Sequence, residues 1–138
     1  MKREAMSFRY LIDSYAWIEY FRGTRIGEEA RSYIEGREAA TATITIVELR
    51  EKYLREGWSY FDEDLAFMSS STLIVPLDKS IAVLAGEINH SMKRVVKGWG
   101  VSDSIILATA KSPSAKVVTG DRHFKEVKEA IFLENETV

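Results

Sequence analysis

Short apolar runs bordered by an acid recur along this chain, and they alternate with stretches of helical periodicity. FRYLID closes on Asp13, TITIVEL carries Glu48, GVSDSIILATA carries Asp103 and VVTGD closes on Asp121. Strands alternating with helices imply a parallel sheet with helices on both faces. In such a sheet the ends of the strands and the starts of the following helices share one edge. All four acids are therefore expected at that edge. Carboxylates crowded together repel one another, and the usual reason for keeping them so is a hard divalent cation.

Composition narrows the chemistry. At 138 residues, with 46% hydrophobic and 29% charged, the chain reads as one globular domain over 1–138 with a sizeable core. It has no cysteine, which excludes disulfides, zinc–thiolate sites and a cysteine nucleophile. The two histidines, His90 and His123, are far apart in sequence, so oxygen ligands and magnesium or manganese are expected. A net charge of −2 argues against binding nucleic acid through a broad basic surface. No apolar run approaches the ~20 residues of a membrane span. The N-terminus, MKREAMSFRYLID, lacks the long apolar stretch of a leader, so a cytoplasmic protein is expected.

The periodicity places the elements. Phe8 to Ile12 reads as a buried strand, and Ser14 as the cap of a helix carrying Trp17, Ile18 and Phe21. A short helix follows to Glu35. Ala40 to Thr43 is a strand, and a helix opening at Thr45 runs to about Glu56, stopped by Gly57. Another helix spans Ser59 to Ser70. Leu73 to Leu77 is a strand whose Pro76 suits a sheet edge. Asp78 caps a helix with a buried face of Ile81, Leu84, Ala85, Ile88 and Met92. The helix over Ile105 to Ala110 is apolar nearly all round and therefore central. Lys116 to Thr119 is a strand, Asp121 begins a helix to about Lys128, and Ile131 to Leu133 is a last strand.

Each acid also has a plainer reading. Asp13 and Asp103 can cap helices, Glu48 lies three residues after Thr45 as in a capping box, and Asp121 can serve a turn. The set says more than its members, because three of the four sit in otherwise apolar segments. Ser14 and Thr119 stand beside Asp13 and Asp121, where their hydroxyls can hold a carboxylate or cap locally. Lys97 with Trp99, and Arg122 with His123, are placed to meet a phosphate backbone and a base, or simply to lie on the surface. No phosphate-binding glycine loop, dinucleotide fingerprint or serine-nucleophile motif occurs.

The segments LIDSYAWIEYF, TITIVELREKY, VSDSIILATA and VVTGDRHF follow one another in the order found in PIN-domain nucleases. Over essentially its whole length the chain resembles that family, and within it the VapC toxins of toxin–antitoxin pairs. The resemblance implies a three-layer α/β/α fold whose five parallel strands are ordered 3-2-1-4-5. It implies an acidic site of Asp13, Glu48, Asp103 and Asp121 with Thr119 as hydroxyl neighbour. It also implies an RNA substrate, a homodimer and a VapB-like antitoxin. One departure is visible: many relatives carry a further acid two positions after the last aspartate, where this chain has His123.

The expected activity is hydrolysis of RNA phosphodiester bonds with one or two Mg²⁺ or Mn²⁺ ions, leaving, as the resemblance implies, 5′-phosphate and 3′-hydroxyl ends. Asp13 and Asp103 are the expected direct ligands, with Glu48 and Asp121 binding a second ion or orienting water. Ser14, Lys97, Arg122 and His123 are the expected substrate contacts. A PIN nuclease of RNA processing or decay would share these residues. A receiver-like phosphoacceptor would need a second acid after Asp13 and a lysine where Thr119 stands. A non-catalytic interaction module would not need all four acids.

Overall fold

The computed structural model describes residues 7–134; residues 1–6, part of the segment read above as lacking a leader, and 135–138 lie outside it. Five short strands form one parallel sheet: β1 (Tyr10–Ile12), β2 (Ala39–Ala42), β3 (Leu73–Val75), β4 (Lys116–Thr119) and β5 (Ala130–Phe132). Their order is β3-β2-β1-β4-β5, as expected. The helices are α1 (Ser14–Arg22), α2 (Arg25–Glu35), α3 (Thr43–Glu56), α4 (Phe61–Ser71), α5 (Lys79–Met92) and α6 (Val101–Lys111).

Side chains alternate across a strand, so each central strand serves two cores. Leu11 and Val117 face one core, built with Ile81, Ala85 and Ile88 of α5 and most of α6. Their neighbours Ile12 and Val118 face the other, built with Trp17, Ile34, Leu49, Phe61 and Met68 from α1 to α4. All four of these strand residues are fully buried. This is the three-layer arrangement that β1 and β4, apolar on both faces, require.

Three buried polar groups beside the second core, on Trp17, Thr41 and Thr72, are satisfied in a chain. The Trp17 Nε1–H donates to Thr41 Oγ1 at 3.1 Å, and Thr41 and Thr72 share a hydrogen bond at 2.8 Å. Thr72 in turn donates to the Met68 carbonyl at 2.8 Å, so Thr41 is the donor to Thr72. The run ties α1, β2 and the end of α4 together.

Several element ends differ from the sequence reading. Asp13, not Ser14, caps α1, accepting from the Ala16 amide at 3.0 Å, while Ser14 is the first helical residue. Helix α3 starts two residues early, at Thr43, so Glu48 lies inside the helix and not in a box opened by Thr45. The helix expected from Asp121 to Lys128 is a single 3₁₀ turn, Arg122–Phe124. Phe124 is drawn into the first core there, and the chain turns away after it.

Thr41→Val removes the acceptor of the Trp17 indole N–H, and denaturant unfolding should report a loss of roughly 1–3 kcal/mol. Trp17→Phe combined with Thr41→Val should lose less than the sum of the two single losses, because the groups are coupled. Simple additivity would show that the hydrogen-bonded chain contributes nothing as a unit.

Candidate active site

The carboxyl edge of the sheet is made by the ends of β1, β2 and β4. Asp13 follows β1 directly and is 6% exposed. Its Oδ1 caps α1, and it accepts a further hydrogen bond from the Thr119 hydroxyl. Thr119 Oγ1 also accepts from the Asp121 amide at 2.9 Å. One hydroxyl thus links the ends of β1 and β4. Burial pushes the Asp13 carboxyl up to about 7, against the pull of these hydrogen bonds, and the charges of Asp121 and Glu48 add to the rise.

Glu48 projects from α3 toward the same edge, where the Ser14 hydroxyl donates to its Oε1 at 3.4 Å. Burial raises its pKa, with further increments from Asp103 and Asp121. Asp103 stands at the N-terminus of α6 and accepts at Oδ2 from the Gly100 amide at 3.0 Å. The capping reading of Asp103 is therefore realised, yet the same oxygen meets His123 Nδ1 at 2.9 Å. Asp121 accepts the His123 amide at 2.9 Å through Oδ1, and that oxygen lies 3.7 Å from His123 Nδ1.

One ligand atom each from Asp103, Asp121 and His123 fall within 4.8 Å of one another, a spacing that a single metal ion can bridge. Asp13 and Glu48 stand beside this group without entering it. The donor set of two carboxylates and one imidazole fits a divalent cation, and the repulsion felt by Asp13 and Glu48 is what such a cation relieves.

The expected substrate contacts divide. Ser14 holds Glu48, and His123 joins the carboxylates. Lys97 and Arg122 are exposed on the surrounding rim. Trp99, placed above to stack a base, is buried against Phe124 with ring centroids 5.1 Å apart, and its indole N–H donates to Ser104 Oγ at 2.8 Å. It braces the first core and has no face for a base.

The sequence reading missed Tyr15 and Gly120. A Cβ on Gly120 would come within 2.3 Å of the Tyr15 ring, so the aromatic ring lies directly on the turn between Thr119 and Asp121. The TGD triplet at the end of a buried strand was the available hint. Among the described residues no helix is long and apolar enough to cross a membrane.

A model of the PIN domain family matches residues 10–130 of the chain. No curated protein sequence matches it. A toxin–antitoxin complex from Klebsiella pneumoniae shares the fold, with a TM-score of 0.74 and 19% identity over 92% of this chain and 99% of that one. FitAcB from Neisseria gonorrhoeae is 25% identical, with a TM-score of 0.64, 89% of this chain and 96% of that chain being covered. VapC20 of Mycobacterium tuberculosis, a sarcin-ricin-loop-cleaving toxin, is similar at a TM-score of 0.70 and 11% identity, over 86% of this chain and 95% of that one.

Asp13 allows a test of the edge electrostatics. Its carboxyl holds a proton up to about pH 7 in the fold but only to about pH 4 when unfolded. Between those values the folded state binds more protons, so this group's contribution falls as pH rises from about 4 to about 7. Asp13→Asn keeps an acceptor for the Ala16 amide and removes the charge. The metal-free variant should exceed wild type in stability by roughly 2–4 kcal/mol at pH 8 and lose that advantage at pH 4. Parallel pH profiles of melting temperature for the two proteins would refute it.

Proposed function

The chain belongs to the PIN-domain family, and from that premise we propose that it is a divalent-metal-dependent endoribonuclease of the VapC toxin type. The observation that carries the reading is the convergence of Asp103, Asp121 and His123 beside the buried Asp13 and Glu48. The substrate is RNA, cut by hydrolysis of phosphodiester bonds. A toxin–antitoxin complex among the similar structures supports a VapB-like protein as the inhibitory partner, and the sarcin-ricin-loop-cleaving toxin supports the substrate class. A homodimer acting in the cytoplasm completes the proposal.

Asp103 and Asp121 would hold the ion, and Asp13 and Glu48 would bind it from the strand side or order water around it. The chemistry that Mg²⁺ or Mn²⁺ supplies there is neutralisation of the scissile phosphate and activation of the attacking water. The residues of the chain set the positions. Thr119 fixes Asp13 against β4, Ser14 steers Glu48, and the Gly100 amide fixes Asp103. Lys97 and Arg122, exposed at the rim, are the cations available to the RNA backbone.

The protein incubated with a structured RNA pool should cleave in Mg²⁺ or Mn²⁺, stop in EDTA and leave 5′-phosphate ends. Asp103→Asn should lower the rate by at least about two orders of magnitude, the several kcal/mol that an ion contributes at a transferring phosphoryl group. It should leave the metal-free protein as stable as wild type or more so. Metal-independent cleavage, or an Asp103→Asn variant of full activity, would sink the proposal.

A further inference from the structure

His123 brings a nitrogen atom into a centre otherwise lined by carboxylate oxygen. Its Nδ1 lies 2.9 Å from Asp103 Oδ2 and 3.7 Å from Asp121 Oδ1. Ligands sharing one ion at metal–ligand distances of roughly 2.0–2.4 Å are separated by no more than about 5 Å, and these separations fall inside that limit. The ring is held from both ends. Its backbone amide donates to Asp121, which makes the imidazole and that carboxylate parts of one turn. The neighbouring Phe124 anchors the turn against the buried Trp99. On the far side, Gly98 has a φ of 83°, and a Cβ built there would stand 3.0 Å from His123 Nε2. The glycine leaves room for the Nε2 edge of the ring, and Nδ1 lies toward the two aspartates.

We propose that His123 is a nitrogen ligand of the divalent ion held by Asp103 and Asp121, and that this ligand biases the site toward manganese(II) over magnesium(II). The inference rests on the metal-dependent reading above and names the ion that reading leaves open. It replaces the expectation of an all-oxygen ligand set. Magnesium keeps its waters and takes carboxylate oxygen in a strict octahedron, whereas manganese(II), the first member of the Irving–Williams series, accepts an imidazole nitrogen beside carboxylate oxygen more readily. Coordination at Nδ1 would take the place of its hydrogen bond to Asp103, with the neutral ring carrying its single proton on Nε2; only an imidazolium would release a proton to solvent. A histidine that only hydrogen-bonds Asp103 would position that carboxylate and leave the choice of ion unchanged. The two roles therefore differ in a measurable quantity.

The test uses the full chain, with Mn²⁺ binding followed by electron paramagnetic resonance and Mg²⁺ added as competitor. Wild type, His123→Ala and His123→Asp are compared. The ratio of Mn²⁺ to Mg²⁺ affinity should fall by about tenfold or more in both variants. His123→Asp should retain Mg²⁺ binding, which also shows that the site still folds. Pulsed spectra of Mn²⁺ bound to wild type should carry the nitrogen coupling of a coordinated imidazole, and His123→Asp should lose it. An unchanged affinity ratio in both variants, or no imidazole coupling in wild type, overturns the proposal and leaves the nuclease reading standing. Failure of wild type to bind either ion overturns both.

Discussion

Withdrawing the Asp13 carboxylate from water at the end of the central strand is the constraint around which this fold is organised. A carboxylate that is nearly fully buried would rather be neutral, and here it holds its proton to about pH 7. Two hydrogen bonds oppose that tendency without overcoming it, one from the first turn of α1 and one from Thr119. The second depends on register. Thr119 reaches Asp13 because β1 and β4 are adjacent and parallel, with Ile12 opposite Val118. The strand order that covers both faces of β1 is thus the same order that supplies the acid with its hydroxyl.

Asp103 and Asp121 sit at the starts of helical turns and Glu48 lies inside α3, and all three are held less deeply than Asp13. Asp103 opens α6, a helix buried from Ser104 through Ala110. Its two buried hydroxyls are satisfied, Thr109 donating to the Ile105 carbonyl at 2.7 Å and Ser104 to Asn89 Oδ1 at 3.1 Å. The helix can therefore sit in an apolar layer with no orphaned polar side chain, and its amino end presents partial positive charge to the carboxylates. A rigid helix aimed at the edge fixes Asp103 more firmly than a loop could.

The strands and the order of the acids were legible because β1, β2 and β4 carry compact apolar runs and because glycine and proline punctuate the chain. Side-chain direction was not. Trp99 beside Lys97 reads as a base-stacking or surface residue, yet it turns inward because Ser104 offers its indole N–H a partner and Phe124 offers a packing face. The helix expected after Asp121 fails because Phe124 is captured by the core one turn in, and local propensity yields to burial. The role of Ser14 shifted by one position, since Asp13 had the better geometry for the cap and left Ser14 free to donate to Glu48. His123 was visible only as a neighbour of Asp121. Its approach to Asp103 depends on Gly98, twenty-five residues earlier, and no local pattern encodes a contact between two loops.

These differences follow one rule. Elements whose residues are specified by burial on two faces were recoverable, because alternation along a strand leaves one solution. Contacts made by residues that end elements were not, because a carboxylate at a helix start can cap the helix, bind a neighbour or do both. Asp103 does both: one oxygen accepts the Gly100 amide and the His123 ring nitrogen together. Capping the helix and meeting His123 are therefore not alternatives at this edge. The hydrogen bond that makes Asp103 look like an ordinary cap is also what holds its carboxylate still, and a fixed carboxylate is what an ion site beside a buried acid requires.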